Sequence, residues 1–472
     1  DLLEAVRRSI GELQGAYAIA VIAEGDPSKM VVARNGAPLL LGIGENENFA
    51  ASDTSALLQV TRNVIYLEEG DCAELSLDAI RIIEKVRGTA VTRKTHTTQM
   101  TAESVDLGSY NHYMQKEIFE QPKAIRDTLE LAVNARAITP GLFGATAGRV
   151  FADTGSVLIL ACGTSYHAGL VARQWIESLA GIPCTVEVAS EYRYRQSVPN
   201  PRALVVGISQ SGETADTLAA IEHARSQGQP NTLGICNVAE SALVRSTALR
   251  FLTRAGPEIG VASTKAFTAQ LSVLAVLALS AAKARGHMLP GDEQKYVKSL
   301  LALPRKVTEA LESQAQIREI AKVLAVKRDV LFLGRGRYYP LALEGALKLK
   351  EVSYIHAEGY AAGELKHGPI ALIEKGLPVV VVAPHDELFE KTISNVEEVR
   401  ARGAEIILIS DDAGIKAAGR RADHVIRIPD GDAVSLPILA AIPLQLLAYH
   451  VALVKGTDVD QPRNLAKSVT VE

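Results

Sequence analysis

Val157-Leu158-Ile159-Leu160-Ala161-Cys162-Gly163-Thr164-Ser165 decides the fold of this chain. Five apolar residues run unbroken into a glycine and two hydroxyl side chains, and a helical stretch follows to Leu179. A strand that is apolar on both faces belongs in a parallel sheet covered on both sides. The unit recurs: residues 203–208 enter Ser209-Gln210-Ser211-Gly212-Glu213-Thr214 and a further helix. Near residue 330 the scheme restarts. Residues 330–333 lead into Gly334-Arg335-Gly336-Arg337-Tyr338-Tyr339-Pro340 and a helix, and residues 378–383 lead into Pro384-His385-Asp386. Leu158-Ile159-Leu160 aligns with Leu331-Phe332-Leu333, and Gly163 with Gly336, which is an internal duplication. Alternating strands and helices, twice over, predict two homologous α/β domains in tandem, each a doubly wound parallel sheet.

Upstream the pattern changes. Leu3, Val6, Ile10 and Leu13 recur at helical spacing and Gly15 closes the helix. The runs 16–22, 30–34, 39–43, 49–52 and 64–67 are short and β-prone, separated by Gly, Pro, Asn and Asp, and predict a small antiparallel sheet. Residues 88–111 are polar and Thr-rich and read as a linker.

The length of 472 residues corresponds to roughly three domains. With 50 Lys plus Arg against 54 Asp plus Glu, the formal charge is -4, and no basic balance suggests nucleic acid. Cys72, Cys162, Cys184 and Cys236 are far apart without a CxxC pair, so neither a zinc site nor a disulfide scaffold is indicated. Reduced thiols of a cytoplasmic protein are the economical reading. Asp1-Leu2-Leu3-Glu4 is charged from the start and does not read as a signal peptide. The apolar stretches 271–282 and 436–454 are expected to be buried helices: the first is too short to span a membrane, and the second carries Pro437, Pro443, Gln445 and His450.

In open α/β sheets ligands bind beyond the carboxyl ends of the strands. Both such loops of the first repeat are rich in small hydroxyls, Thr164 and Ser165, then Ser209, Ser211 and Thr214, and each precedes a helix whose N-terminal N–H groups favour an anion. The combination suits a phosphate monoester on a small molecule. The alternative is that these residues only cap their helices. No GxxxxGK[ST] is present and no GxGxxG follows the strands, so neither a nucleoside triphosphate nor any other cofactor is implied. The corresponding loop of the second repeat, Ala383-Pro384-His385-Asp386, has no serines, which suggests one substrate per chain. The second repeat supplies charge instead. Glu344, Lys348 and Glu351 fall at i, i+4 and i+7 on one helix face, a stripe that reads most simply as solvated and salt-bridged. Gly363-Glu364-Leu365-Lys366-His367-Gly368-Pro369 presents one imidazole on a turn, a candidate acid/base partner for a nearby carboxylate. The tail, 458–472, has no period and a single lysine, Lys467; fraying is its default, and Schiff-base chemistry with a ketone is the alternative.

Cys162-Gly163-Thr164-Ser165, Ser209-Gln210-Ser211-Gly212-Glu213-Thr214, Gly260-Val261-Ala262-Ser263-Thr264-Lys265 and Glu364-Leu365-Lys366-His367-Gly368-Pro369 resemble the isomerase half of the glucosamine-6-phosphate synthase family. The ending Gln461-Pro462-Arg463-Asn464-Leu465-Ala466-Lys467-Ser468-Val469-Thr470-Val471-Glu472 looks like the family's own, and the resemblance covers essentially the whole chain. It implies two tandem sugar-isomerase (SIS) domains, 112–318 and 319–460, and a catalytic tail, 461–472. Before them would come a partial N-terminal-nucleophile glutaminase domain of α+β type, 1–87, and the linker 88–111. The implied reaction converts fructose 6-phosphate to glucosamine 6-phosphate in amino-sugar (UDP-N-acetylglucosamine) synthesis, with ammonia derived from glutamine and no cofactor or metal.

By the same resemblance, Ser165, Ser209, Gln210, Ser211 and Thr214 contact the phosphate and sugar, with Cys162, Gly163, Thr164, Val261, Ser263 and Ala466 also lining the substrate site. Lys467 would form a Schiff base with C2 of the open-chain ketose, and Glu351 would move the proton between C1 and C2. Lys348 would sit by the reacting oxygens, and His367 would assist ring opening from the neighbouring subunit of a homodimer. The family opens on a nucleophilic cysteine, whereas this chain opens on Asp1, so it is expected to keep the sugar site and to lack glutamine hydrolysis. Two other readings stand beside this one. One is a deaminase or isomerase of the same superfamily, against which Lys467 argues. The other is a non-catalytic sugar-phosphate sensor, which would not need Glu351, His367 or Lys467.

Overall fold

The structure is a computed structural model that describes residues 1–84, 88–98, 105–134 and 137–469. Residues 99–104 of the Thr-rich stretch and the last three residues of the tail lie outside the described residues.

Both predicted parallel sheets are present. Ser156–Ala161 lies between Cys184–Val188 and Ala203–Ser209, and Asn231–Cys236 and Leu249–Leu252 extend the sheet beyond the latter. In chain order the strands are arranged 2-1-3-4-5, all parallel. The second sheet repeats this order with His356–Ala361, Asp329–Gly334, Pro378–Val382, Glu405–Ser410 and His424–Arg427. The order reverses between the first and third strands, and the crevice at that switch is where such sheets receive ligands. Every residue of Ala203–Ser209 and of Pro378–Val382 is buried, as strands covered on both faces must be. The duplication extends to the backbone. Gly163 at φ 52 and Gly336 at φ 55 make the same left-handed turn after the first strand of each sheet, a conformation glycine adopts without the Cβ penalty.

The two halves share one hydrophobic core. Helices Lys265–Ala284 and Ser435–Lys455 are long and apolar enough to cross a membrane, yet both are buried inside the protein, as expected of stretches 271–282 and 436–454. Phe267 and Leu271 of the first, Ile438 and Leu446 of the second, and Leu341 and Leu349 of helix Tyr339–Ser353 belong to one continuous cluster. Trp175 Nε1 donates to the carbonyl of Ala433 at 2.8 Å, a direct tie between the halves. Close packing of this kind fixes the position of the second half's helices against the switch point of the first sheet.

The N-terminal region departs from its expectation. Helix Leu2–Ile10, capped by the Asp1 carboxylate, buries Leu3, Val6 and Ile10, but it ends there and leaves Leu13 exposed. Instead of one antiparallel sheet there are two. One contains Tyr17–Ala23, Asp26–Asn35, Cys72–Leu75, Ile80–Ile83 and Ala90–Val91, and the other Asn48–Ala51, Leu40–Ile43, Asn63–Tyr66 and Thr95–Thr97. Val32, Leu41, Leu67 and Leu75 pack between them. Ala90–Val91 and Thr95–Thr97 are edge strands in the Thr-rich stretch. Edge strands need no continuous apolar run, so hydrophobic periodicity does not reveal them.

Candidate active site

The switch point of the first sheet is built by its two hydroxyl-rich loops. At the first strand end, Cys162 and Gly163 start helix Gly163–Trp175 without a side-chain cap. Ser165 is half-buried on its first turn. The Thr164 hydroxyl donates to Glu344 Oε1 at 3.0 Å, so it reaches the other half of the molecule and does not cap its own helix. At the third strand end, Ser209 Oγ and Thr214 Oγ1 are 2.8 Å apart, the Gly212 N–H donates to Ser209 Oγ and the Glu213 N–H to Ser211 Oγ. Thr214 begins helix Ala215–Ser226, again without a side-chain cap. Gln210 lies half-buried between the serines. The Thr164, Ser209, Ser211 and Thr214 hydroxyls therefore do not cap their helices: Thr164 reaches the second half, and the other three brace the turn after the third strand.

Gly212 shows how little room that turn has. Its φ is 69, and a Cβ there would come within 2.2 Å of Ser241 Oγ and 2.6 Å of Cys236 Sγ. Gly212→Ala is expected to lower stability by about 1–3 kcal/mol through strain. A urea titration checks this.

The Glu344–Lys348–Glu351 stripe is not solvated. Glu344 and Lys348 are each 1% exposed, because helix Tyr339–Ser353 turns this face to the first domain's strand end. Lys348 Nζ lies 2.5 Å from Glu351 Oε2 and 3.6 Å from Glu344 Oε1. Glu344 Oε2 is 2.8 Å from His167 Nδ1. Burial pulls the Lys348 ammonium down, but Glu351, Glu344 and Glu258 outweigh it and hold this lysine above the ordinary range.

The tail is docked. The Arg463 N–H donates to the Tyr354 hydroxyl, and its guanidinium lies 4.2 Å from the centre of that ring. Ser468 Oγ is 3.1 Å from Ser211 Oγ, and the Val469 carbonyl accepts from the Ala215 N–H. Between these anchors Lys467 Nζ donates to Glu258 Oε2 at 2.6 Å, while Ala466 is exposed beside it. Glu258 also accepts from Ser263 Oγ and from the N–H groups of Thr264 and Ala266. The Val261 N–H donates to the Asp460 carbonyl. Thus the structure brings together both loops, Val261, Ser263, Lys348, Glu351 and Lys467. His367 is not among them: it is exposed on the turn Ala362–His367, and among the described residues no hydrogen bond or ion pair joins it to this cluster.

Sequence reasoning missed Glu258, His167 and Glu117. For Glu258 a signal existed, since it is the sole acidic residue between Glu240 and Asp292. Glu117 is buried, and its Oε1 accepts from the N–H groups of Ile259 and Gly260. Burial, then the charge of Glu258, pushes its carboxyl from 4.5 up to about 8. Across that window the folded protein holds a proton that the unfolded chain has lost, so stability should fall as pH rises and flatten above about 8. Glu117→Gln, which mimics the protonated acid, should remove this slope of up to about 1.4 kcal/mol per pH unit. Denaturant titrations at a series of pH values measure it. Among the described residues no three His, Cys, Asp or Glu side chains gather as a metal site.

The SIS domain model matches residues 150–280 and 323–455. Proteins named glutamine–fructose-6-phosphate aminotransferase [isomerizing] are similar over the whole chain: that of Bordetella parapertussis is 57% identical over 472 residues and that of Pseudomonas aeruginosa 54% over 474. The chain spans 77% of the length of each. The solved C-terminal domain of glucosamine-fructose-6-phosphate aminotransferase from Francisella tularensis superposes with a TM-score of 0.74 at 48% identity, covering 76% of this chain and 100% of that one. A glucosamine-6-phosphate deaminase from Thermotoga maritima, 24% identical with a TM-score of 0.60, covers 76% of this chain and 99% of its own, and shares the fold. With two SIS domains on one core and relatives that match it from end to end, the chain belongs to the glutamine–fructose-6-phosphate aminotransferase (isomerizing) family.

Proposed function

We propose that this chain converts fructose 6-phosphate to glucosamine 6-phosphate, with ammonia as the nitrogen that enters the sugar. The observation that carries this reading is the docked tail, which delivers Lys467 to a crevice already holding the serine loops and the Lys348–Glu351 pair. The phosphate would sit on the hydroxyls of Ser165, Ser209, Ser211 and Thr214, close to the positive ends of the two helices. Gln210, Cys162, Gly163, Thr164, Val261, Ser263 and Ala466 would line the sugar chain.

The neutral amine of Lys467 attacks C2 of the open-chain ketose and, with loss of water, forms a Schiff base that ammonia then displaces. Glu351 takes the proton from C1 and returns it to C2, turning the ketose imine into the aldose amine. Lys348, cationic between its carboxylates, steadies the negative charge that develops on the sugar oxygens. His367 of the partner subunit would open the ring, which makes the working unit a homodimer. Four free thiols fit a reducing cytoplasm.

The test is to supply fructose 6-phosphate alone and with ammonium. Glucose 6-phosphate should form without a nitrogen donor and glucosamine 6-phosphate with one. Binding of the sugar phosphate without either product would overturn the reading in favour of a sensor.

A further inference from the structure

Lys467 must be a neutral amine to attack a ketone, yet it rests against a carboxylate. Glu258 is buried, and four donors converge on it: Lys467 Nζ at 2.6 Å, Ser263 Oγ at 3.2 Å, and the N–H groups of Thr264 at 2.9 Å and Ala266 at 3.0 Å. The last two belong to the start of helix Lys265–Ala284, whose preceding loop carries Val261 and Ser263. The Gln445 side chain holds that loop from the second half by donating to the Thr264 carbonyl at 3.1 Å. Glu258 is thus braced by its own loop and helix start, and Lys467 reaches it from the tail.

We propose that Glu258 is the positioning carboxylate and proton acceptor of Lys467: it docks the tail on the Val261–Ser263 loop while the amine is charged, and takes the amine's proton when the sugar carbonyl arrives. This rests on the Schiff-base reading of Lys467. The step is a single proton transfer from Nζ to Oε2, giving a neutral amine and a neutral carboxyl with no change in total charge. The free pair on Nζ then bonds C2 while the C2=O π pair moves onto the oxygen, which takes the proton back from the Glu258 carboxyl and a second one from the nitrogen and leaves as water when the Schiff base forms.

The surroundings favour a carboxyl that is ionised only while the ammonium is beside it. Burial acts on Glu258 most strongly and pushes it up; Lys467 and the backbone N–H groups bring it below the ordinary value. Once the amine is neutral, its charge no longer opposes burial. The other titratable groups facing this pair are Glu117, which burial and Glu258 push up, Lys265 paired with Glu120 at 2.7 Å, Lys116 at 3.6 Å from Glu120, and the Lys348–Glu351 pair. The cations Lys265 and Lys116 are engaged with Glu120, so Glu258 is the carboxylate that holds Lys467.

The experiment is borohydride trapping of fructose 6-phosphate on the protein across pH, read by mass spectrometry at Lys467. In Glu258→Gln the hydrogen bond is kept but the proton acceptor is lost, so at a fixed pH the rate of trapping should fall by about 10²-fold or more, and KM should rise as the tail loosens. An unchanged trapping rate in that variant would overturn the proposal. Absence of trapping in the unmodified protein, with the sugar bound, would instead overturn the Schiff-base reading. Should Glu258→Gln not fold, infrared difference spectra in the Glu351→Gln background decide the matter. Adding fructose 6-phosphate should produce a protonated carboxyl band, and its absence would overturn the proposal.

Discussion

Lys467→Ala is expected to lower kcat/KM for fructose 6-phosphate by about 10³-fold or more and to leave no borohydride-trapped adduct. The variant should stay folded. Lys467 is 25% exposed, and the tail keeps the Arg463–Tyr354 and Ser468–Ser211 contacts when it is removed. Glu258 keeps its bonds to Ser263, Thr264 and Ala266, so its carboxyl is not orphaned. Glu351→Gln should fail at the next step. Its turnover should fall by about 10²–10⁴-fold, the usual worth of a placed general base, while the trapped adduct on Lys467 persists. Product assays beside mass spectrometry separate the two. Equal loss of trapping in both variants would mean that Glu351 only shapes the site.

The parts of this arrangement legible in the sequence are those set by local pattern. Residues 157–161 and 203–208 are apolar without alternation, which only a two-sided burial tolerates, and the parallel sheets followed from that. The hydroxyl loops were legible because a strand end, small polar residues and a helix start lie within a few positions. The rest depended on contacts that no local pattern encodes. Lys467 meets Glu258 across 209 residues, and His167 meets Glu344 across 177. The Glu344–Lys348–Glu351 spacing placed three charges on one helix face but not what the face looks at, so the simplest reading put it in water. It looks at another domain. The two N-terminal sheets read as one because Cys72–Leu75 and Ile80–Ile83 are short and interrupted by Glu and Arg, and the edge strands after them are only two and three residues long.

Glu344 is the residue through which fold and site depend on each other, and Glu344→Ala is expected to destabilise the protein by about 3 kcal/mol. From helix Tyr339–Ser353 it receives the Thr164 hydroxyl and His167 of the first domain and lies beside the Lys348 ammonium. Removing it leaves a hydroxyl and an imidazole without their acceptor and a buried cation with one carboxylate in place of two. Losing one partner of a buried charge cluster costs more than the cluster itself contributes, because the survivors remain desolvated. Glu344→Gln retains an acceptor and should cost about 1–2 kcal/mol. A loss below about 1 kcal/mol for Glu344→Ala, the range of exposed ion pairs, would show that water reaches Lys348. Because the contacts cross between domains, a Thr164→Val/Glu344→Gln cycle should show coupling of at least about 0.5 kcal/mol. Replacing both charges by apolar residues of similar volume, Glu344→Leu with Lys348→Met, should recover part of the stability. It should not recover turnover, since the cation we propose to face the sugar is gone. Stability regained without activity would separate what this cluster does for the core from what it does for the substrate.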